Sequence, residues 1–221
     1  MCVMQGVRLT VLLCGIGLVA GCQSRGRLLT RIEPEGQPVM IGGVQAYPES
    51  RMLVISGYVN QVVGAIELLA CSPRGKVHES VFVLWARPLD MQSALLLLGY
   101  RHGPPMAGLG QGPPVGDPVE VWVQWTDEAG RDHLRRGEEF MFSLRDAKPL
   151  RRERWIFNGS TFEDGLFMAG AEDSLVATYW DPWAILNLES DLGAADTWVV
   201  VNTNTVPPLH TSIRFMVRPG S

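Results

Sequence analysis

Hydrophobic positions are densest between Gly75 and Gly99, where a strand-like pattern passes into a helical one. Residues 77–85 (VHESVFVLW) are rich in β-branched and aromatic side chains, and both faces are mostly apolar beyond Ser80, as in a central strand. Pro88 cannot donate to a sheet, so the strand must end before it. Residues 94–98 (ALLLL) are apolar on every side, which predicts a short buried Leu-rich helix ending at Gly99.

The remaining pattern predicts an α+β fold with a mainly antiparallel sheet. Residues 103–118 hold five Gly and five Pro and therefore predict a long loop. Residues 138–146 (EEFMFSLRD) predict an amphipathic helix with Phe140, Met141 and Leu144 toward the core. Strands are predicted by β-rich or alternating runs at 51–60, 65–71, 119–126 with a return from Asp132, 198–202 and 211–218.

The second half of the chain repeats the order of the first. Three strand-like runs, at 155–158, 165–169 and 174–179, are followed by Pro182 and an apolar run at 184–188, as Pro88 precedes the Leu-rich helix. The pattern predicts two similar strand-strand-strand-helix halves. In that alignment His78 corresponds to Val176 and Glu79 to Ala177, so a repeated fold does not require the charged pair.

The N-terminus has the features of a bacterial lipoprotein signal. Arg8 precedes an apolar run at 9–18, and residues 19–22 (VAGC) resemble a lipobox, in which small residues before Cys22 allow cleavage once its thiol carries a diacylglyceryl group. We predict a signal peptide at 1–21, a tether at 22–46 and one folded domain at 47–221. An ordinary secretory signal and an uncut anchor helix are the alternatives.

Acylated Cys22 would make the lipid bilayer the first partner and the cell envelope the location. Gln23 follows the cysteine, where Asp would suggest retention at the inner membrane in some bacteria, so we expect the outer membrane, facing the periplasm. The formal net charge of −4 gives no reason to expect nucleic acid as a partner. Cys71 would be the one free thiol of the processed chain, and its apolar flank predicts a buried one.

The charged groups at the start of the central strand are the candidate ligand-binding residues. Lys76, His78, Glu79 and Ser80 fall within five positions, and His102 returns after the predicted helix. Glu79 points away from His78 and Ser80 on a strand, which argues against a catalytic triad. The four histidines show none of the spacings of common metal motifs, so we predict no metal, no cofactor and no assigned catalytic residue.

Two roles stay open for these residues. A buried His78 bonded to a carboxylate or carbonyl would fix the corner between strand and helix. Alternatively, Lys76, His78 and Ser80, with Arg101 or His102 returning after the helix, would bind a small anion or a peptide, beside an aromatic groove formed by Trp122 and Trp125. The basic run at 145–154 likewise fits a solvated face or an anion site.

GKVHES at 75–80 followed by ALLLLG at 94–99 resembles the core of the YdjY-type domain, a bacterial envelope domain family of unsettled function. The resemblance covers residues 45–217. Some members are described as ferredoxin-like with cysteine clusters, which this chain lacks. The favoured function is therefore a non-enzymatic binding or interaction module of the cell envelope, acting on an envelope protein or a small anionic ligand. The alternative is an enzyme or redox accessory protein using Lys76, His78 and Glu79.

Overall fold

A computed structural model describes Met1 and residues 31–220. Within them lie two α-helices, α1 (Pro88–Leu97) and α2 (Met168–Glu172), and 3₁₀ turns at Val77–Glu79, Gly137–Phe140 and Asp191–Ala194. The strands are β1 (Val39–Ile41), β2 (Val44–Tyr47), β3 (Met52–Val59), β4 (Leu68–Cys71), β5 (Ser80–Leu84), β6 (Asp117–Thr126), β7 (Asp132–Arg136), β8 (Met141–Ser143), β9 (Lys148–Pro149), β10 (Trp155–Phe157), β11 (Phe162–Glu163), β12 (Leu166–Phe167), β13 (Ser174–Ala177), β14 (Leu186–Leu188), β15 (Val199–Val201) and β16 (Ser212–Pro219).

Eight strands close into a barrel-like sheet. Their order is β3-β16-β6-β10-β14-β13-β4-β5, and β5 pairs back with β3. Only the β4–β5 and β13–β14 pairs are parallel, so the prediction of a mainly antiparallel sheet is confirmed. Strands β1 and β2 extend the sheet from β3, and β7 pairs with β6 outside the ring. Smaller sheets are formed by β11 with β12 and by β15, β8 and β9.

Side chains alternate between the two faces of each strand, and the inward-facing ones fill the barrel. On β6, Val119, Val121 and Val123 are fully buried in the main core, whereas Trp122 lies on the outer face. Phe82 on β5 meets Phe140 edge to face, with ring centroids 5.1 Å apart. An eight-stranded barrel is just wide enough for side chains to fill its interior, so the centre of this fold is packed core rather than a binding cavity.

Helix α1 begins and ends where the sequence predicts, but it is only half buried. Gly99 adopts φ +79°, the left-handed conformation that terminates a helix. Met91, Ala94 and Leu95 are buried in the main core, whereas Leu96 and Leu97 are 46% and 53% exposed. A helix on the outside of a closed sheet buries one side only, so the prediction of burial all round is wrong.

Three other predicted elements need correction. Residues 138–146 form the end of a 3₁₀ turn followed by β8 (Met141–Ser143), and Leu144, predicted to face the core, is 54% exposed just beyond that strand. The predicted strand at 77–85 begins only at Ser80, after a 3₁₀ turn. The predicted tether at 22–46 is too long, since most of residues 39–46 belong to β1 and β2. Strand β1 pairs with β2, and β2 pairs with β3.

The second half lacks the predicted second helix. Within 184–188, residues Leu186–Leu188 form β14, a buried strand between β10 and β13. Residues 165–169 divide between β12 and α2 rather than forming one strand. The apolar run at 184–188 is too short for periodicity to separate a buried strand from a buried helix. The lipobox with Cys22 and most of the signal peptide lie outside the described residues.

Candidate functional site

The predicted residues Lys76, His78 and Glu79 lie at the turn that leads into β5. Lys76 Nζ is 3.1 Å from Glu67 Oε2, an ion pair with the segment that precedes β4. The two segments are also joined by main chain, because the Glu67 amide donates to the Glu79 carbonyl at 3.1 Å. Glu67, which the sequence interpretation missed, is therefore the group that holds Lys76.

His78 and Ser80 have different environments from those predicted. The His78 side chain is 74% exposed, and its Nε2 lies 3.5 Å from Glu79 Oε1. The hypothesis of a buried, structural His78 is wrong, because the residue lies on an exposed 3₁₀ turn rather than inside a strand. Ser80 is fully buried, and its hydroxyl donates to the Lys76 carbonyl at 2.8 Å, so it closes the turn and is not presented to a ligand.

Two carboxyl groups near Lys76 are held above their ordinary pKa. Partial burial raises the pKa of Glu79, and the neighbouring Glu67 carboxylate raises it further, against the opposing effect of His78 and Lys76. Burial also raises the pKa of Asp181, although the Trp183 amide donates to its Oδ1 at 2.9 Å. The region around Lys76 thus contains one ion-paired lysine and two carboxyl groups, Glu79 and Asp181, whose pKa values are raised.

His102 does not join this cluster. Its Nδ1 lies 2.9 Å from the Gly103 carbonyl, and its ring meets Phe157 edge to face with centroids 5.9 Å apart. It forms a bridge to Gly116 within the long loop, and among the described contacts it has none with Lys76, His78, Glu79 or Ser80. The hypothesis that His102 returns to the start of β5 is wrong because the barrel carries the 101–117 segment toward β10.

Five surface clefts of about 410 to 820 Å³ lie on the described part of the chain, and none is lined by Lys76, His78, Glu79 or Ser80. In residues 31–220, no three His, Cys, Asp or Glu side chains converge to hold a metal ion. None of these five clefts therefore gives the cluster at the turn a concave surface that would enclose a substrate.

An exposed row of aromatic rings connects two of the clefts. Trp85, at the end of β5, is 55% exposed, and its ring centroid lies 5.5 Å from that of Tyr58. Tyr58 lies 6.1 Å from the His210 ring. Trp85 lines a cleft of about 560 Å³ with Ala86 and the arginines 74 and 87, and His210 lines one of about 820 Å³ with Trp125 and Leu209. The sequence signal was Trp85 as the last residue of the predicted core strand at 77–85.

The predicted groove between Trp122 and Trp125 does not form. Adjacent odd and even positions of β6 point to opposite faces, so Trp125 lies inside the barrel wall and Trp122 outside it. Trp125 stacks on His133 with centroids 4.9 Å apart. Trp122 instead lines two other clefts, which share Arg136 and Arg152.

Cys71 is fully buried at the end of β4, as predicted. Burial raises the pKa of its thiol to about 11, against the Ser80 hydroxyl, which lowers it. A thiol with that pKa is almost wholly protonated at neutral pH and is a poor nucleophile.

Comparison of the chain with protein-family models, curated proteins and solved structures finds no match in any of the three. No helix among the described residues is both long enough and apolar enough to cross a membrane. The resemblance to the YdjY-type domain through residues 75–80 and 94–99 stays a prediction.

Proposed function

We propose that the protein is a lipid-anchored binding or interaction module of the cell envelope, held at the outer membrane by acylated Cys22 and facing the periplasm. The VAGC lipobox supports the anchor. Arg31 is nine positions beyond Cys22, so the chain between these two residues can span at most about 30 Å. The barrel would therefore act close to the bilayer surface.

The observation that carries the binding role is the row formed by Trp85, Tyr58 and His210. Aromatic residues are enriched at protein interfaces because they provide a large contact area at a small cost in side-chain entropy. Trp85 exposes more than half of its surface beside an open cleft, where burial against a partner would be favourable. The row has the composition of a surface that binds an envelope protein.

Site-specific photocrosslinking in the native envelope tests this role. A photoreactive residue at Trp85 should give discrete crosslinked species, whereas one at Leu144, which is 54% exposed elsewhere on the surface, should not. Equal crosslinking at both positions would contradict a specific surface. Mass spectrometry of the N-terminal peptide tests the anchor separately, because an unmodified Cys22 or cleavage at another residue overturns it.

One observation favours the alternative, an enzyme or redox accessory protein using Lys76, His78 and Glu79. The raised pKa of Glu79 is a property of general acids. The position of these residues outside the five described clefts weighs against substrate binding there. A double substitution of Lys76 and Glu79 tests the alternative. It would be favoured if that variant had the cellular phenotype of the deletion while crosslinking at Trp85 stayed unchanged.

We also propose that the α+β domain consists of two similar halves, β3-β4-β5-β6 and β10-β13-β14-β16. In this comparison β3 corresponds to β10, β4 to β13, β5 to β14 and β6 to β16. When each strand is replaced by its counterpart, the strand order around the ring and the parallel or antiparallel direction of every pair stay the same. Register agrees as well: Ala70 lies opposite Phe82, Val176 lies opposite Leu186, and Ala70 and Val176 pair with each other. In this alignment Val176 corresponds to Ala70, not to His78.

A further inference from the structure

A basic groove lies on the outer face of β6, formed by the two clefts that share Trp122, Arg136 and Arg152. The clefts have volumes of about 630 and 490 Å³. Their lining includes five arginines, at 135, 136, 151, 152 and 154, against the two glutamates 120 and 139. On a chain with a net charge of −4, this groove is a local concentration of positive charge.

One wall of the groove is held rigid by ion pairs. The guanidinium groups of Arg136 and Arg218 both lie against the Trp122 ring, at 5.4 and 5.1 Å from its centroid. Both arginines bind Glu120, at 2.8 and 2.7 Å, and the indole N–H donates to the same carboxylate at 3.0 Å. The indole edge is thus fixed beside the arginines.

Two of the other arginines that line the groove have no ion-pair partner among the described residues. Arg135 pairs with Glu139 and Arg154 with Glu189, whereas Arg151 and Arg152 form no ion pair with a carboxylate of residues 31–220. Arg152 adopts φ +56°, an uncommon conformation for a residue with a side chain. The main-chain amides of Arg151 and Arg152 donate to no main-chain carbonyl in the described structure. These side chains and amides are free donors for an anion.

The chain enters the barrel on this same outer face. The Ile32 amide donates to the Gln124 side chain at 3.2 Å, and Ile32 packs on the apolar cluster that Trp122 also contacts. Gln124 is two residues from Trp122 on β6, about 7 Å along the strand. If Cys22 is anchored in the bilayer, the groove lies within reach of lipid headgroups.

We propose that the groove binds the headgroups of anionic phospholipids and orients the barrel on the membrane that holds its anchor. Charge complementarity supports this ligand, since basic residues near a bilayer bind anionic headgroups. Trp122 supports it too, because tryptophan is enriched at the level of the headgroups. The proposal rests on the lipid anchor and names its membrane-facing surface, distinct from the aromatic row.

Hydrogen exchange of the mature lipoprotein in lipid nanodiscs tests the proposal. Exchange at the amides of residues 151–154 is compared between discs of phosphatidylcholine and discs that also contain phosphatidylglycerol. We expect exchange to slow by up to about thirtyfold in the anionic discs, the effect of two arginines that each gain about 1 kcal/mol near an anionic surface. The double variant R151A/R152A should lose the protection, and the charge-matched R74A/R101A, with both sites exposed and away from the groove, should keep it.

Equal exchange in both kinds of disc, or protection that survives in R151A/R152A, overturns the proposal. Protection by inorganic phosphate added to phosphatidylcholine discs also overturns it, in favour of a site for a soluble anion. A protein that fails to elute with the discs contradicts the lipid anchor instead. In that case the same measurement with phosphatidylglycerol vesicles still decides whether the groove binds headgroups.

Discussion

Asn60 and Asn158 make the same contact at equivalent ends of β3 and β10. Asn60 Nδ2 donates to the Ser80 carbonyl at 2.9 Å, and Asn158 Nδ2 donates to the Ala184 carbonyl at 3.1 Å. Each amide thus ties the end of one strand to the start of the strand that pairs with it in the ring, which is β5 for β3 and β14 for β10. Asn158 is buried, and its Oδ1 also accepts from Asn187 at 2.8 Å.

We therefore expect Asn158→Ala to lower the free energy of unfolding by about 1–3 kcal/mol, because it leaves buried polar groups unsatisfied. Asn60 is only partly buried, and water can replace its amide, so Asn60→Ala should cost about 0.5–1.5 kcal/mol. Urea denaturation of both variants measures the difference. A cost for Asn60→Ala above that for Asn158→Ala would contradict this ranking.

Adjacent leucines on α1 should differ sharply in their contribution to stability. Leu95 is fully buried, whereas Leu96 is 46% exposed. Leu95→Ala should cost about 2–5 kcal/mol through lost burial and a cavity, and Leu96→Ala should stay within about 0.5 kcal/mol. The two substitutions change helix propensity equally, so each controls for the other. Similar shifts in the urea midpoint would mean that the helix packs differently from the structure described.

The contrast on α1 shows what the sequence could and could not predict. Pro88 and Gly99 identified the limits of the helix because each has a local conformational requirement. The run at 94–98 is apolar throughout, so no periodicity indicated which side faces the core. That choice depends on where β2 and β13 lie, which is set by pairing between segments distant in sequence.

Prediction of the candidate site met the same limit. The alternating strand β6 was predicted correctly, including the opposite faces of Trp122 and Trp125. The partner of Lys76, Glu67, was not, because its proximity arises from the parallel pairing of β4 with β5. Arg151 and Arg152 were recognised as basic, but only the fold places them beside Trp122.

Cys71 should be unreactive in the folded protein. Its thiol is fully buried, and its pKa is raised to about 11, so both access and thiolate fraction are small. Alkylation by iodoacetamide at pH 8 should be negligible in native buffer and complete in concentrated urea, with peptide mass spectrometry locating the label. Rapid native labelling of Cys71 would show that the end of β4 opens readily.

Glu79 should make stability depend on pH in the direction set by its raised pKa. The folded state binds the proton more tightly than the unfolded state, so protonation of Glu79 favours folding. This contribution is fully present below the ordinary pKa of 4.5 and is lost as the pH rises through the higher folded value. Between pH 4 and pH 7, the parent protein should therefore lose stability that Glu79→Gln, which cannot ionise, retains.

The comparison is the difference in unfolding free energy between Glu79→Gln and the parent, measured by urea denaturation across that pH range. The difference should grow in favour of Glu79→Gln as the pH rises, and Glu67→Gln should reduce the pH dependence by removing the neighbouring carboxylate. Glu128→Gln, at an exposed position of the β6–β7 turn, is the matched control for loss of one carboxylate, and a pH-dependent gain there equal to that of Glu79→Gln would contradict the assignment to Glu79. A difference that shrinks toward pH 7 would mean that Lys76 and His78 stabilise the Glu79 carboxylate more than burial and Glu67 oppose it.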